Sequence, residues 1–581
     1  MRILIDLTAL ADNFSGIERF ALSITKELIS DQNRSNDEYI LLFKNEVHKE
    51  FSTEQNNVRK VIICGKNKLI FNQFQLPLKL STIEADYYFF PAFPAPFLFF
   101  KRNAISAIHD VGCWDCPSKN KKHMTLYFKV MYRSFGSKFI VFILMPLYTN
   151  TLTTEEYGIS ELVITATNLL IPFVTVSIQD ATLRFSLDKN NNSDEVLKNT
   201  LLILSVGTII SCLLYPLMRM YKAVDGWTQY LLILTILYMI RNALSIYLKA
   251  IGKTKLYAVD SIVYTLLLMV SNIILLTVFK LRLAGYFYGT IISTVGSIIL
   301  LIIFGDVIQS CRSGKVNLAL LKSMIRFSSP MIFNNISWWI INSSDKVMIG
   351  YYISTADSGI YSVAAKMPSL LITLTNIFNQ AWIISSVTEY DTTNDGDFYS
   401  NTFNSFNAML IMAASGIILI IKPFMQIYVG HSFVECWQYV PLLLLGSVFQ
   451  SYATFFGAIY TSAKKNVSVM VSTLVAAAIN LILYAILIPT VGIQGAVIAT
   501  AIAYFVVFLF RMLDSRKYVN IRINTWKVLL SMMILFGQCI LIIVTEGARR
   551  YFVSALLFCI LICINSNDIL KIVKAIKARI L

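Results

Sequence analysis

The sequence predicts an all-α polytopic membrane protein with about fourteen transmembrane helices, in two repeated six-helix lobes plus two, preceded by a small α/β domain. Three observations predict it. Of 581 residues, 56% are hydrophobic and only 14% are charged, where soluble domains carry about 25% charged residues. From Phe135 onward the apolar residues gather in blocks of about 20, the length that crosses a bilayer core as helix. Ahead of them, short apolar runs alternate with helical spacing, the pattern of a parallel α/β unit.

Met1 to Leu7 reads as a first buried strand. Gly16 to Ile29 places Ile17, Phe20, Ala21, Ile24 and Leu28 at helical spacing. Tyr39 to Phe43 and Val58 to Cys64 read as strands. Ala85 to Phe90 reads as a strand running into a rigid loop at Pro91, Pro94 and Pro96, and Ala104 to His109 as another short strand. The opening residues are too short a run for the usual layout of a cleavable signal, so insertion is expected to rely on internal helices.

The apolar blocks centre near residues 138, 170, 208, 238, 268, 293, 335, 372, 413, 448, 477, 501, 535 and 558. The net charge of +16 does not point to nucleic acid, because the basic residues sit in short loops and not on one polar domain. Their distribution gives an orientation. With the first part cytoplasmic, cytoplasmic connections hold Lys249, Lys253, Lys255, Arg312, Lys315, Lys464, Lys465 and Arg511, among others. The opposite side holds few, such as Arg219, Lys222, Lys280 and Arg282. This bias predicts both termini in the cytoplasm; the acidic loop Glu389 to Tyr399 runs against it. The last residues, Ile569 to Leu581, read as a basic amphipathic helix on anionic lipid or as an extension of the last span.

Two stretches echo one another inside the membrane part. LTTEEYGISELVITATNLL (152–170) aligns with ISTADSGIYSVAAKMPSLL (353–371), pairing Thr154 with Thr355, Glu156 with Asp357 and Gly158 with Gly359. RLAGYFYGTIIS (282–293) aligns with GIQGAVIATAIA (492–503), pairing Gly285 with Gly495 and Thr290 with Thr500. Polar residues match as well as apolar ones. We expect residues 126–310 to form one lobe (spans 1–6), 311–515 a second (spans 7–12), and 516–581 to add spans 13 and 14 and the basic helix. Repeated lobes place a substrate path at their interface.

GSKFIVFILMPLYTNTLTTEEYG (136–158) resembles the first-helix signature of polysaccharide flippases of the multidrug/oligosaccharidyl-lipid/polysaccharide exporter superfamily. AINLILYAILIPTVGIQGAVIATAIAY (478–504) resembles their eleventh and twelfth helices. The resemblance covers the chain from about residue 135. It implies a two-lobed, V-shaped fold working by alternating access, and an undecaprenyl-diphosphate-linked oligosaccharide as substrate. MRILIDLTALADNFSGIERFALSITKEL (1–28), FPAFPAP and AISAIHDVGCWDCP resemble the N-terminal domain of a family 4 glycosyltransferase, a half-Rossmann-like unit. That resemblance places Gly16 to Arg19 near the acceptor side and matches His109 and Asp110 to the family's His-Asp pair. It stops after Pro117, and no nucleotide-sugar-binding domain follows. Residues 1–125 are therefore expected to be a truncated, inactive segment.

Ionisable groups inside spans are expensive and tend to line aqueous cavities. Lys138, Asp180, Arg184, Arg241, Asp260, Asp345, Lys346 and Lys366 qualify. A diphosphate substrate suits a cationic cavity, since Arg and Lys give charge-assisted hydrogen bonds to phosphate oxygens; Lys138, Arg241 and Lys366 are the first choices. The plain alternative is snorkelling or structural ion pairing, strongest for Arg184 and Lys346 near span ends. Asp180 and Arg184, four apart, share a helix face and could pair. Asp345 is a candidate for a coupling ion, a proton or sodium. Asn334, Asn335, Trp338 and Trp339 on the seventh span suit sugar contact, although Trp also favours the membrane interface.

Most of the nine cysteines lie inside apolar blocks and read as small buried hydrophobes. Cys113 and Cys116 have Cys-x-x-Cys spacing; with His109 and His123 a four-ligand metal site is conceivable but unusual in order, and chance spacing is the plainer reading.

These readings converge on a non-enzymatic transporter of the bacterial inner membrane. It would move undecaprenyl-diphosphate-linked repeat units for O-antigen, capsule or exopolysaccharide, need no cofactor, and work beside a polysaccharide polymerase and glycosyltransferases. The rivals are a membrane-tethered glycosyltransferase, a drug or cation exporter of the same superfamily, and a fusion whose transporter is broken. A polymerase fits less well, because no large extracytoplasmic loop is evident.

Overall fold

The computed structural model describes residues 1–8, 10, 16–30, 37–52, 57–64, 71, 75–91, 99 and 103–106, then 142–188, 191–392, 396–463, 465–519, 521 and 524–580. The chain forms two compact units, Met1–His123 and Met124–Leu581.

The first unit holds strands β1 (Arg2–Asp6), β2 (Glu38–Lys44), β3 (Val58–Ile63), β4 (Tyr87–Phe90) and β5 (Ala104–Ser106), with helices α1 (Gly16–Ser30) and α2 (Leu76–Thr82). All strands pair parallel, in the order β3-β2-β1-β4-β5. Side chains alternate across the sheet. Ile3, Ile5, Tyr39, Leu41 and Phe43 pack on one face with Ala21 of α1. Leu4, Ile40, Leu42, Tyr88 and Phe90 pack on the other with Leu76 and Leu80 of α2. Both faces of β1 and β2 are covered, which is why those strands read as nearly unbroken apolar runs. The parallel α/β expectation holds here. His109, Asp110, Cys113 and Cys116 lie outside the described residues.

The second unit is helical. Helix α3 occupies 142–151. It is followed by α4 (Thr154–Val174), α5 (Ile178–Ser186), α6 (Ser193–Leu213), α7 (Thr228–Ala250), α8 (Thr254–Ile273) and α9 (Arg282–Phe304). Then come α10 (Leu318–Tyr352), α11 (Thr355–Ala364), α12 (Lys366–Thr392), α13 (Gly396–Tyr428), α14 (Val440–Ser462), α15 (Asn466–Val491) and α16 (Ile493–Asp514). Helices α17 (Thr525–Val544) and α18 (Gly547–Ile580) close the chain. Among the described residues, twelve helices are long and apolar enough to cross a membrane. Their outward faces carry bare apolar side chains such as Leu213, Ile427 and Phe552, which face lipid at no penalty. The chain is a multi-pass membrane protein.

The expected count of fourteen differs from twelve at two places. The span near residue 138 is described only from residue 142 onward. The span near 335 is α10, which carries Asn334, Asn335, Asn342, Asp345 and Lys346 and is too polar to be counted by apolarity. Two further expectations are corrected. The acidic loop Glu389 to Tyr399 is mostly helix, since α12 runs to Thr392 and α13 begins at Gly396. Arg511, read as a loop charge, sits on α16 and is only 7% exposed. The basic C-terminal stretch continues α18 as far as Ile580 without a break.

The sequence echo has a structural counterpart. Thr153 caps α4 and Ser354 caps α11, and each hydroxyl accepts from a backbone N–H three residues on, at Glu156 and Asp357. The Thr/Ser-x-x-acid pattern is thus the same capping device in both repeats. The two repeats also touch each other reciprocally. A Cβ at Gly158 would lie 1.9 Å from the Thr355 carbonyl oxygen, and one at Gly359 2.1 Å from that of Thr154. Only glycine permits this approach, and its reciprocity is what a pseudo-twofold axis between α4 and α11 produces. Gln538 of α17 bonds Ser415 of α13 and Ser554 of α18, holding the last two helices to the second lobe.

Candidate functional site

The site lies between the lobes, on α4, α7, α8, α10 and α12. Glu161, one helical turn past Gly158 on α4, is its centre. Its Oε2 accepts from Lys346 Nζ at 2.6 Å and its Oε1 from Lys366 Nζ at 2.9 Å. Tyr157 Oη donates to Oε1 at 2.8 Å. One carboxylate of the first lobe thus holds two ammonium groups of the second. Asp345 stands beside them, 7% exposed, and accepts from Tyr361 Oη at 2.5 Å.

The second feature is a cavity of about 560 Å³ lined by Arg241, Ser261 and Tyr264 from the first lobe and by Lys366, Ser369 and Thr373 from the second. The Arg241 guanidinium stacks 3.9 Å above the Tyr264 ring. It pairs with the fully buried Asp260 at 2.9 Å and donates to Ser297 Oγ at 2.7 Å. Ser297 in turn donates to Asp260. Asp260 therefore aims Arg241 and neutralises it in part. A neighbouring pocket of about 250 Å³ is lined by Asp345, Lys346 and Tyr361 and shares Lys366, Ser369 and Ile372 with the first.

Of the residues singled out in the sequence, Arg241, Asp260, Asp345, Lys346 and Lys366 come together here. Lys346 does not snorkel outward; its ammonium turns inward to Glu161. Asp180 and Asn335 lie elsewhere between the lobes. Asn335 Nδ2 donates to Asp180 Oδ2 and to Ser177 Oγ, both at 3.2 Å. Asp180 thus bonds Asn335 and not Arg184, which is exposed. Trp339 donates to the Thr165 carbonyl at 2.9 Å, so its ring nitrogen is committed to holding α10 against α4. Asn334 is exposed. Lys138 lies outside the described residues.

Glu161 was not singled out, although an acidic residue inside the apolar run of α4 was a visible signal of the same kind. A break at the far end of α4 from Glu161 left no clear signal at all. Val176 and Ser177, between α4 and α5, have φ of +52° and +50°. For a β-branched valine this is a strained conformation, worth about 1–3 kcal/mol.

Three comparisons bear on this unit. Residues 130–385 match the family described as "Polysaccharide biosynthesis protein". The probable low-salt glycan biosynthesis flippase Agl15 of Haloferax volcanii is 25% identical over 193 residues, 32% of this chain and 40% of that protein. The chain thus spans about two fifths of the length of the curated relative it matches. The lipid II flippase MurJ, in an inward closed conformation, superposes with a TM-score of 0.60 at 13% identity, over 77% of this chain and 100% of that one. An inward-facing multidrug resistance MATE transporter of the MOP superfamily gives 0.55 at 14% identity, over 66% and 95%. At such identities the likeness is one of fold, and the membrane unit has the fold of the MurJ and MATE transporters.

Proposed function

We propose that the chain is a flippase that moves lipid-linked oligosaccharide across the membrane by alternating access of its two lobes. The observation that carries the reading is the inter-lobe cavity with Lys366 and Arg241 on its wall and Glu161 holding the lobes at its edge. A diphosphate offers several anionic oxygens, and both cations suit it: Arg by its planar donors, Lys as a point charge. An incoming diphosphate competes with Glu161 for Lys366. Its arrival exchanges an inter-lobe bond for a substrate bond, which couples binding to lobe movement. The lipid tail stays in the bilayer while the head group crosses. Cationic drugs suit this wall poorly, because like charges repel.

The polysaccharide family match, the glycan flippase relative and the lipid II flippase fold support a lipid-linked glycan as cargo. The specific carrier, undecaprenyl diphosphate, and a place in O-antigen, capsule or exopolysaccharide assembly in the bacterial inner membrane are parts of this proposal. So are a glycosyltransferase-like but inactive first unit, cytoplasmic termini, a proton or sodium gradient acting through Asp345, and a polymerase and glycosyltransferases as partners. The test is complementation of a bacterium lacking its own repeat-unit flippase, with the full chain and with residues 124–581. Restored surface polysaccharide is expected from the full chain. Failure despite membrane expression, over several repeat-unit types, would count against the reading; sugar transfer by the purified protein would revive the glycosyltransferase.

A further inference from the structure

A third cavity, in the C-terminal lobe, has no role in the reading above. It measures about 420 Å³, within the range of small-ligand sites, and is lined by Trp338, Asn342, Asn376, Asn379, Gln450 and Arg511, among others. Ile372 lines both this cavity and the inter-lobe one, so the two adjoin.

Arg511 is the unusual member. Its Nε donates to Ser472 Oγ at 3.0 Å and its Nη1 to the Ala453 carbonyl at 2.9 Å. Its Nη2 donates to the Val469 carbonyl at 3.3 Å and to Thr473 Oγ1 at 2.9 Å. Every acceptor is neutral. Among the described residues, no carboxylate lies within ion-pair distance of Arg511, whereas the half-buried cations Arg241, Lys346, Lys366 and Lys527 each have one. Arg550, also buried without a carboxylate, lies instead over the Trp437 ring. A buried charge without a counter-charge is costly, and here neutral acceptors on α14 and α15 offset only part of that cost.

The guanidinium has five N–H donors, and four are used. The fifth is on Nη1, the atom facing Gly457, which also lines the cavity. A Cβ at Gly457 would stand 3.1 Å from Nη1. Glycine there leaves the charged donor open to the cavity. On the cavity wall, the Asn379 Oδ1 is buried with no hydrogen-bond partner. The cavity is thus lined by an uncompensated cation, an amide whose oxygen is buried without a partner, further amides and an indole. Amides match sugar hydroxyls, an indole face matches a sugar ring, and a guanidinium matches an oxyanion.

We propose that this cavity is a subsite for a saccharide carrying an oxyanion, a uronate carboxylate or a phosphate, held by Arg511 and the surrounding amides. The proposal rests on the flippase reading only for its biological setting; the binding itself is testable without transport. The full chain in lipid nanodiscs is titrated calorimetrically with three soluble probes: a glucuronate-terminated trisaccharide, its neutral glucose counterpart and a lipid-free sugar diphosphate. The wild type is expected to bind an anionic probe about tenfold or more tighter than the neutral one, the worth of one charge-assisted hydrogen bond. Gly457→Val sets a branched side chain against Nη1, and is expected to abolish that preference. Asn379→Ala, which removes no hydrogen bond of the arginine, is expected to weaken the saccharide probes. Lys366→Gln is expected to spare the glucuronate probe.

Loss of the glucuronate probe in Gly457→Val identifies a uronate as the source, and loss of the sugar diphosphate alone identifies a phosphate. Equal binding of charged and neutral saccharides by the wild type, or an unchanged preference in a folded Gly457→Val protein, would overturn the proposal. A protein that binds the acidic probe but translocates no lipid-linked glycan would overturn the flippase reading and leave this one standing.

Discussion

Glu161 accepts hydrogen bonds from Tyr157, Lys346 and Lys366, and no single replacement restores all three. Glu161→Gln leaves two inward-turned ammonium groups without their carboxylate. Breaking a buried pair from one side costs about 3–5 kcal/mol, so thermal unfolding in detergent should show a marked loss of stability. An unchanged melting temperature would mean that the lysines find other partners. Lys366→Gln removes the more exposed of the two cations, its side chain 30% accessible. It should lower transport strongly with a smaller effect on stability. Val176 offers the opposite kind of change. Its left-handed backbone is one that glycine adopts freely, so Val176→Gly should be neutral or stabilising by about 1 kcal/mol; clear destabilisation would show that the valine side chain outweighs the strain. The charged positions were legible because an ionisable residue stands out in an apolar run. Their pairings were not, because Glu161 and Lys366 are brought together only by lobe packing. Arg511 shows the limit: a basic residue at the end of a span reads as a loop charge unless the burial of its helix face is known.

At the level of elements, the close approach of α4 and α11 sets how tightly the lobes meet. Gly158→Val and Gly359→Val each place atoms inside the carbonyl of the opposing helix. Either should block this packing, abolish transport and hold the lobes apart. Cross-linking of cysteines placed at Thr154 and Thr355 should report it, with high yield in the wild-type background and little in the glycine variants. Equal yields would show that the helices adjust. The glycines and the capping residues were visible as a repeat in the sequence, since a shared local device leaves a shared local pattern. The strands of the first unit were visible for a similar reason: Ile3, Leu4 and Ile5, and Tyr39 to Phe43, are buried on both sheet faces and so form continuous apolar runs. Helix α10 was harder to place. Its amides and charges face other protein segments, and this dilutes the apolarity by which spans are found.

For the whole molecule, the proposed function has two repeated lobes around a cationic cavity exposing that cavity alternately to each side of the membrane. The bias of Lys and Arg predicts that a cysteine replacing the exposed Lys280 reacts with a membrane-impermeant maleimide in intact cells. One replacing the exposed Lys315 should react only after permeabilisation. The reverse labelling would invert the topology. The most direct test of the central claim is translocation of a fluorescent undecaprenyl-diphosphate-linked saccharide by the purified chain in proteoliposomes, followed by quenching from outside. Protein-dependent flipping that Lys366→Gln and Gly158→Val abolish is expected. No flipping above empty liposomes, with export of a cationic dye by the same preparation, would contradict it.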